Sequence, residues 1–419
     1  MNTMATGEIT AERPSRATTI PWYRSHGTAV IVAGLAALAF LHWRPASDAR
    51  MRAYAAMNRP GVTLSVIGGG LDSATFQLAP GVESEKSNLA WAFHQLRQFP
   101  ELKHIQTQFF LPVNLSALRS LTQLESFLVT GSAEIEDDDL AVFRELPKLD
   151  SLVLRAEKIT SRGLRHLEGH PSLKTLVLHG PRLYGEGFSS LGRIPNLESL
   201  TIEGGRGKWG EPLSLSGATK LKALRLFNLG ATPDELGDFK GLPALEDLEL
   251  WNVNVDRNFF LRLQALPRLK SLKIRGAGFS LDGLTDAIVL LPSLESLFVA
   301  DYSGKGQDQL LTAEGVKKLA GVKRLREIGV FGAPIGDEGV KALAAIPTLE
   351  QLTLNQTGMT ERSFPALLAM KSLKTLNLFE PMWGVRAGIN QGAMMRLREQ
   401  LERSKKVEVR FDRGPPGFW

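Results

Sequence analysis

One spacing constrains this chain more than any other. Beyond residue 100, a leucine, two residues, a leucine, one residue and a leucine recur, complete at Leu149/Leu152/Leu154, Leu173/Leu176/Leu178, Leu245/Leu248/Leu250, Leu349/Leu352/Leu354 and Leu373/Leu376/Leu378. The first leucine falls at 102, 124, 149, 173, 197, 221, 245, 269, 294, 325, 349 and 373, twelve copies with a usual step of 24 residues. Units this short cannot each enclose a core, so they must stack, each burying its apolar face on the next. The length of 419 residues therefore sets the number of units, not of globular domains.

The last two leucines of each copy alternate with other residues, which is the period of a strand. The rest of the unit has a helical period and ends on proline, as in Leu164/Leu167/Pro171, Phe188/Leu191/Pro195, Leu236/Phe239/Pro243, Phe260/Leu263/Pro267 and Val340/Leu343/Pro347. Apolar residues three apart share one helix face, and proline forces the chain out of the helix and back toward the sheet. Ile159-Thr160-Ser161-Arg162-Gly163-Leu164 and Ile335-Gly336-Asp337-Glu338-Gly339-Val340 stand where these helical segments begin. Over about residues 100–380 the chain resembles leucine-rich-repeat proteins of the cysteine-containing-like subclass. The resemblance implies an α/β solenoid with a curved parallel sheet on the concave face, helices on the convex face and about twelve repeats; it implies protein interaction and no enzymatic activity. The family's asparagine or cysteine ladder, three residues after the last strand leucine, is absent, because Glu157, Pro181, Ala277, Ala333, Thr357 and Pro381 stand there. The family's turn hydrogen bonding is not expected to carry over.

The repeats occupy 101–393, with an N-terminal cap over 61–100 and a C-terminal cap and tail over 394–419. Val62, Leu64 and Val66 alternate as a strand, Leu89, Phe93 and Leu96 have helical spacing, Met394–Leu401 reads as a helix, and Val407, Val409 and Phe411 read as a closing strand. Two places break the period. Glu203–Gly210 replaces a helical half, and the step from Leu294 to Leu325 is 31 residues around Asp301–Thr312; both are expected to protrude as loops.

Ahead of the repeats, residues 27–43 form a hydrophobic segment between a basic tail, 1–26, and a linker, 44–60. Gly27–Leu41 holds no charge and is flanked by Trp22, Tyr23 and Arg24 on one side and Trp43 and Arg44 on the other, residues suited to a membrane interface. Fifteen helical residues span roughly 22 Å, which these flanks can extend toward the hydrocarbon thickness. The segment reads as a single-pass anchor. A cleaved signal peptide is the alternative, although His42-Trp43-Arg44 follows where small residues are expected. Arginines on both sides nearly balance, and a short basic tail before one hydrophobic helix points to a solenoid outside the cytoplasm.

The net charge of +6 belongs mostly to residues 1–60, which carry +4. A body with 43 basic and 41 acidic residues lacks the electrostatic footprint of a nucleic-acid binder. The absence of cysteine excludes disulfides, thiolate metal sites and thiol nucleophiles. Other chemical readings are weak. Gly204-Gly205-Arg206-Gly207-Lys208 lacks the spacing of a phosphate loop, His166, Glu168 and His170 have the wrong order for a zinc helix, and Glu134–Asp139 suits a helix start better than a calcium site. No metal or cofactor is expected, and the chain reads as a binder without catalytic activity.

Strand alternation locates the binding face. With the leucines turned inward, the residues flanking the middle one and the residue after the last face the concave side, giving Arg225, Phe227, Glu249, Trp251, Lys273, Arg275, Phe298 and Phe331. Aromatics and arginines are the side chains enriched at interface hot spots. Arg225, Phe227, Trp251, Lys273, Arg275, Phe298 and Phe331 are therefore the candidate contacts for a protein or peptide ligand. A structural or glycan-binding role in the cell envelope is the alternative. The residue after each first leucine alternates mostly in sign, from Glu198 and Lys222 to Glu246 and Lys270, and is expected to form an exposed ladder that fixes stacking register.

Overall fold

A side chain that must pack on its own copy in the next unit imposes an in-register sheet. In the computed structural model of the chain, each of the twelve repeat copies forms a strand, and all strands join one sheet in sequence order. The structure describes residues 62–67, 70–76, 93–107, 115–131, 134–184, 186–205, 207, 212–253, 255–276, 281–300, 311–379, 391–405 and 407–412. The segments at 1–26, 27–43 and 44–60, most of the insertion at 301–312 and the residues beyond 412 lie outside them. Among the described residues, no helix is long and apolar enough to cross a membrane.

The repeat strands are β3 (His104–Thr107), β4 (Ser126–Val129), β5 (Ser151–Arg155), β6 (Thr175–His179), β7 (Ser199–Glu203), β8 (Ala223–Phe227), β9 (Asp247–Trp251), β10 (Ser271–Arg275), β11 (Ser296–Ala300), β12 (Glu327–Phe331), β13 (Gln351–Asn355) and β14 (Thr375–Phe379). All are parallel and pair equivalent residues, so Leu224 lies beside Leu248 and Leu248 beside Leu272. These leucines are at most 1% exposed, and burial of each contributes about 1.5–3 kcal/mol. The chain is a leucine-rich-repeat solenoid.

Both ends of the sheet are extended. β1 (Val62–Ile67) and β2 (Gly70–Phe76) form an antiparallel hairpin whose second strand pairs in parallel with β3. At the other end, the helix Gln391–Lys405 buries Leu397 and Leu401, and β15 (Glu408–Asp412) adds in parallel to β14. An aromatic spine of Phe93, Phe127 and Phe143, with centroid separations of 6.4 and 5.3 Å, fills the core beneath the first repeats.

The convex side departs in part from the expected helices. Ser161–Leu167 and Phe188–Arg193 are 3₁₀ segments, whereas Arg257–Arg262 and Gly336–Ala344 are α-helical. Leu236 and Phe239 are buried as expected, but their segment is a series of turns with Gly237 at φ 79° and Phe239 at φ 56°. Between β7 and β8, residues 212–218 run without a helix and bury Leu213, Leu215 and Ala218; of the loop expected at Glu203–Gly210, residues 206 and 208–210 lie outside the described residues.

Carboxylates and hydroxyls at the helix starts clasp one repeat to the next. Asp337 accepts the Thr360 backbone N–H at 2.7 Å, the Thr360 hydroxyl at 2.6 Å and the Ser363 hydroxyl. Partial burial opposes its charge, but these bonds outweigh the burial and hold its carboxyl below the usual value. Asp137 clasps Thr160 in the same way, and the Ser161 hydroxyl donates to the Tyr184 and Glu186 carbonyls at 2.8 and 2.6 Å. The expected charge ladder also forms, with Lys222–Glu198 at 2.7 Å, Lys270–Glu246 at 2.8 Å and Lys374–Glu350 at 2.6 Å. Exposed pairs of this kind are worth about 0–1 kcal/mol each.

His170 fills a position taken by Ile194, Leu242 and Leu266 elsewhere, and it is fully buried. Its Nε2 lies 3.1 Å from the Phe143 carbonyl, and its Nδ1 accepts the Leu173 N–H at 3.1 Å, which requires a neutral ring protonated at Nε2. Burial lowers its pKa from the ordinary 6.5, partly opposed by the carbonyl contacts. The unfolded chain therefore takes up a proton before the folded one, and stability is lost as pH falls below 6.5. Melting temperature should drop from about pH 7.5 to 5.5 in the wild type and drop less in His170→Leu. Equal pH slopes would contradict this assignment.

Candidate ligand-binding face

The concave side follows from the strand register. Phe227, Trp251, Arg275, Ala300, Phe331 and Asn355 occupy one row across successive strands. Arg225, Glu249, Lys273, Phe298, Gly329 and Thr353 occupy the adjacent row, two residues earlier on each strand. The sheet thus brings together Arg225, Phe227, Trp251, Lys273, Arg275 and Phe298 from four neighbouring repeats.

Their contacts are specific. The Phe227 and Trp251 rings lie 4.9 Å apart at 37°, and the Arg275 guanidinium sits 4.7 Å from the Trp251 ring centre on the side of the next strand. All three side chains are half-buried, so each keeps a face toward solvent. A cation held over an indole contributes about 0.5–1 kcal/mol at an exposed site and more once a partner excludes water. In the adjacent row Arg225 pairs with Glu249 at 3.3 Å. Lys273 is exposed and faces no carboxylate within ion-pair distance among the described residues.

Phe331 differs from the expectation. It lies in the concave row, but it is only 2% exposed, with its ring 4.7 Å from that of Phe298. Gly329 explains how this closes: a Cβ there would come 2.7 Å from the Phe298 ring, so glycine leaves room for the ring to lie across the strand. Phe331 supports Phe298 from beneath and is not a surface that a ligand can reach. Phe298, half-buried, is the part of this pair open to solvent.

A second set of residues lies toward the end where the strands leave the concave face. His179 Nδ1 is 2.6 Å from the Glu203 carboxylate, which also accepts from Asn228 at 3.2 Å; Asn252 donates to Asn228 Oδ1 at 3.2 Å. Asn228 and Asn252 have φ of 54° and 50°, the left-handed region that asparagine tolerates best among side-chain-bearing residues. A short asparagine ladder therefore exists, two residues after the last strand leucine instead of three. Its signal was the pair Asn228 and Asn252, 24 residues apart.

The metal-like motifs resolve into repeat contacts. Glu168 accepts Ser190 at 2.8 Å and pairs with Arg193, while His170 is committed to backbone groups. In the acidic run Asp137 clasps Thr160, Asp139 accepts the Glu136 N–H at 2.9 Å, and Lys158 bridges Glu134 and Glu136 at 3.3 and 3.2 Å. Among the described residues no group of three or more metal-ligating side chains is placed to hold an ion. Arg206 and Lys208 of the glycine-rich run lie outside the described residues.

No family profile and no curated protein sequence matches the chain. Solved structures of leucine-rich-repeat proteins do. An internalin of Listeria monocytogenes is 14% identical over 77% of this chain and 83% of its own, with a TM-score of 0.40. The plant peptide hormone receptor RGFR1, solved with RGF2, is 16% identical over 75% of this chain and 48% of its own, with a TM-score of 0.40. TLR13, solved with a single-stranded RNA, is 18% identical over 75% of this chain and 46% of its own, with a TM-score of 0.44. The chain spans less than half the length of the two receptors.

Proposed function

We propose that this protein is a non-catalytic, membrane-anchored scaffold that captures a protein or peptide on the concave face of its solenoid. The observation that carries the reading is the half-open stack of Phe227, Trp251 and Arg275, flanked by the exposed Lys273. Large rings left partly in water on a rigid sheet are poised to gain contact area when a partner covers them, at little conformational cost. Peptides from a random display library should bind the full chain in detergent and lose binding to Trp251→Ala; binders indifferent to that substitution would contradict the reading.

The anchor is residues 27–43 and the solenoid lies on the extracytoplasmic side, a reading supported by the uncharged run from Gly27 to Leu41 between aromatic and arginine flanks. Removing residues 1–45 should release a folded protein from membranes, because the repeats begin more than fifty residues later. Persistence of the truncated protein in a carbonate-washed membrane pellet would overturn the anchor.

A further inference from the structure

We infer that the ligand is an acidic peptide segment, with one carboxylate seated at Lys273 and a second at Arg155; this rests on the concave-face reading above. The argument is the charge balance of the face over β5–β11. It carries four basic residues, Arg155, Arg225, Lys273 and Arg275, against three acidic ones, Glu203, Asp247 and Glu249. Two of the acidic residues, Glu249 and Asp247, have cationic neighbours, and the third, Glu203, is engaged by hydrogen bonds. Glu249 pairs with Arg225 at 3.3 Å, Glu203 holds His179 at 2.6 Å and Asn228 at 3.2 Å, and Asp247, at the rim end of its strand, lies in the field of Lys270. Arg155 and Lys273 are exposed and have no carboxylate partner among the described residues. What the face leaves uncompensated is positive, and an anionic partner is the complement.

The spacing selects the class of anion. Arg155 is on β5 and Lys273 on β10, five strand steps apart, or roughly 24 Å at the ordinary interstrand distance. An extended peptide running across the strands covers that span in about seven residues. Its intervening side chains would pass over Val177 and the Phe227–Trp251 pair, with Glu203, Arg225 and Glu249 in the same two rows, so the acidic residues of the peptide belong at its two ends. A nucleic-acid backbone fits this path poorly, since it brings a phosphate at every step past Glu203 and Glu249.

The test uses the full chain in detergent and a random-peptide display library panned at low salt. Recovered peptides are expected to be enriched in aspartate and glutamate, with two acids about seven residues apart. Lys273→Glu and Arg155→Glu should each weaken a selected acidic peptide by roughly tenfold or more at unchanged melting temperature, and panning on Lys273→Glu should recover basic peptides instead. Peptides that depend on Trp251 but show no acidic enrichment would overturn this inference while leaving concave-face capture intact. Peptides indifferent to Trp251 would overturn both. Binding of a random single-stranded oligonucleotide that is lost in Lys273→Glu would assign the cations to phosphate and likewise overturn it.

Discussion

Alanine at position 187 should destabilise the solenoid by about 3 kcal/mol or more. Gly187 has φ of 126°, a conformation that L side chains rarely adopt, and a Cβ built there would lie 2.3 Å from the Ser161 carbonyl oxygen and 2.9 Å from the Arg162 nitrogen. Those atoms are backbone of the preceding repeat and cannot swing aside as a side chain could. The Ser161 hydroxyl is bonded to the Tyr184 and Glu186 carbonyls, so moving either strand of this junction breaks the clasp as well. Gly169→Ala is the natural comparison: its φ is 68°, but nothing lies within 4 Å of the added carbon, so only the conformational cost of about 1–2 kcal/mol remains. Urea denaturation of the two variants separates the contributions. Equal midpoints would show that the close approach at Gly187 relaxes freely.

The period made the fold legible, because residues repeating every 24 positions with strand spacing in one half have few ways to bury their leucines. The closing strand was legible for the same reason, through Val407 and Val409. β2 was not, since Gly70–Phe76 has no clean apolar alternation and owes its place to the hairpin with β1. The choice among helix, 3₁₀ segment and turn was also hidden. Leu236 and Phe239 are three apart and buried, but turn geometry satisfies that spacing as well as a helix does.

The concave face was legible in direction but not in exposure. Alternation decides which side of the sheet a residue faces, and it placed Phe227, Trp251, Arg275 and Phe331 correctly in one row. Whether solvent reaches a side chain depends on its neighbours on other strands, separated by a repeat or more in sequence. Gly329 and Phe298 change the surroundings of Phe331 in this way, and Glu249 occupies Arg225. The unpaired state of Lys273 and Arg155 emerges only once every nearby carboxylate has been assigned.

Replacing Trp251 with alanine should cost about 2 kcal/mol or more of ligand affinity, close to thirtyfold in Kd, because the substitution removes the ring that both Phe227 and Arg275 rest on. Part of the effect is indirect: without the indole, the Arg275 guanidinium loses its support and must be ordered anew in the complex. The leucines beneath are untouched, so the array stays folded. Leu290→Ala, at an exposed position outside the sheet, provides the control for non-specific capture. The decisive measurement is the affinity of one display-selected peptide for the wild type, Trp251→Ala and Leu290→Ala, each with its melting temperature. The account predicts a loss near thirtyfold for Trp251→Ala alone, with all three proteins folded; wild-type affinity in Trp251→Ala, or an equal loss in Leu290→Ala, would contradict it.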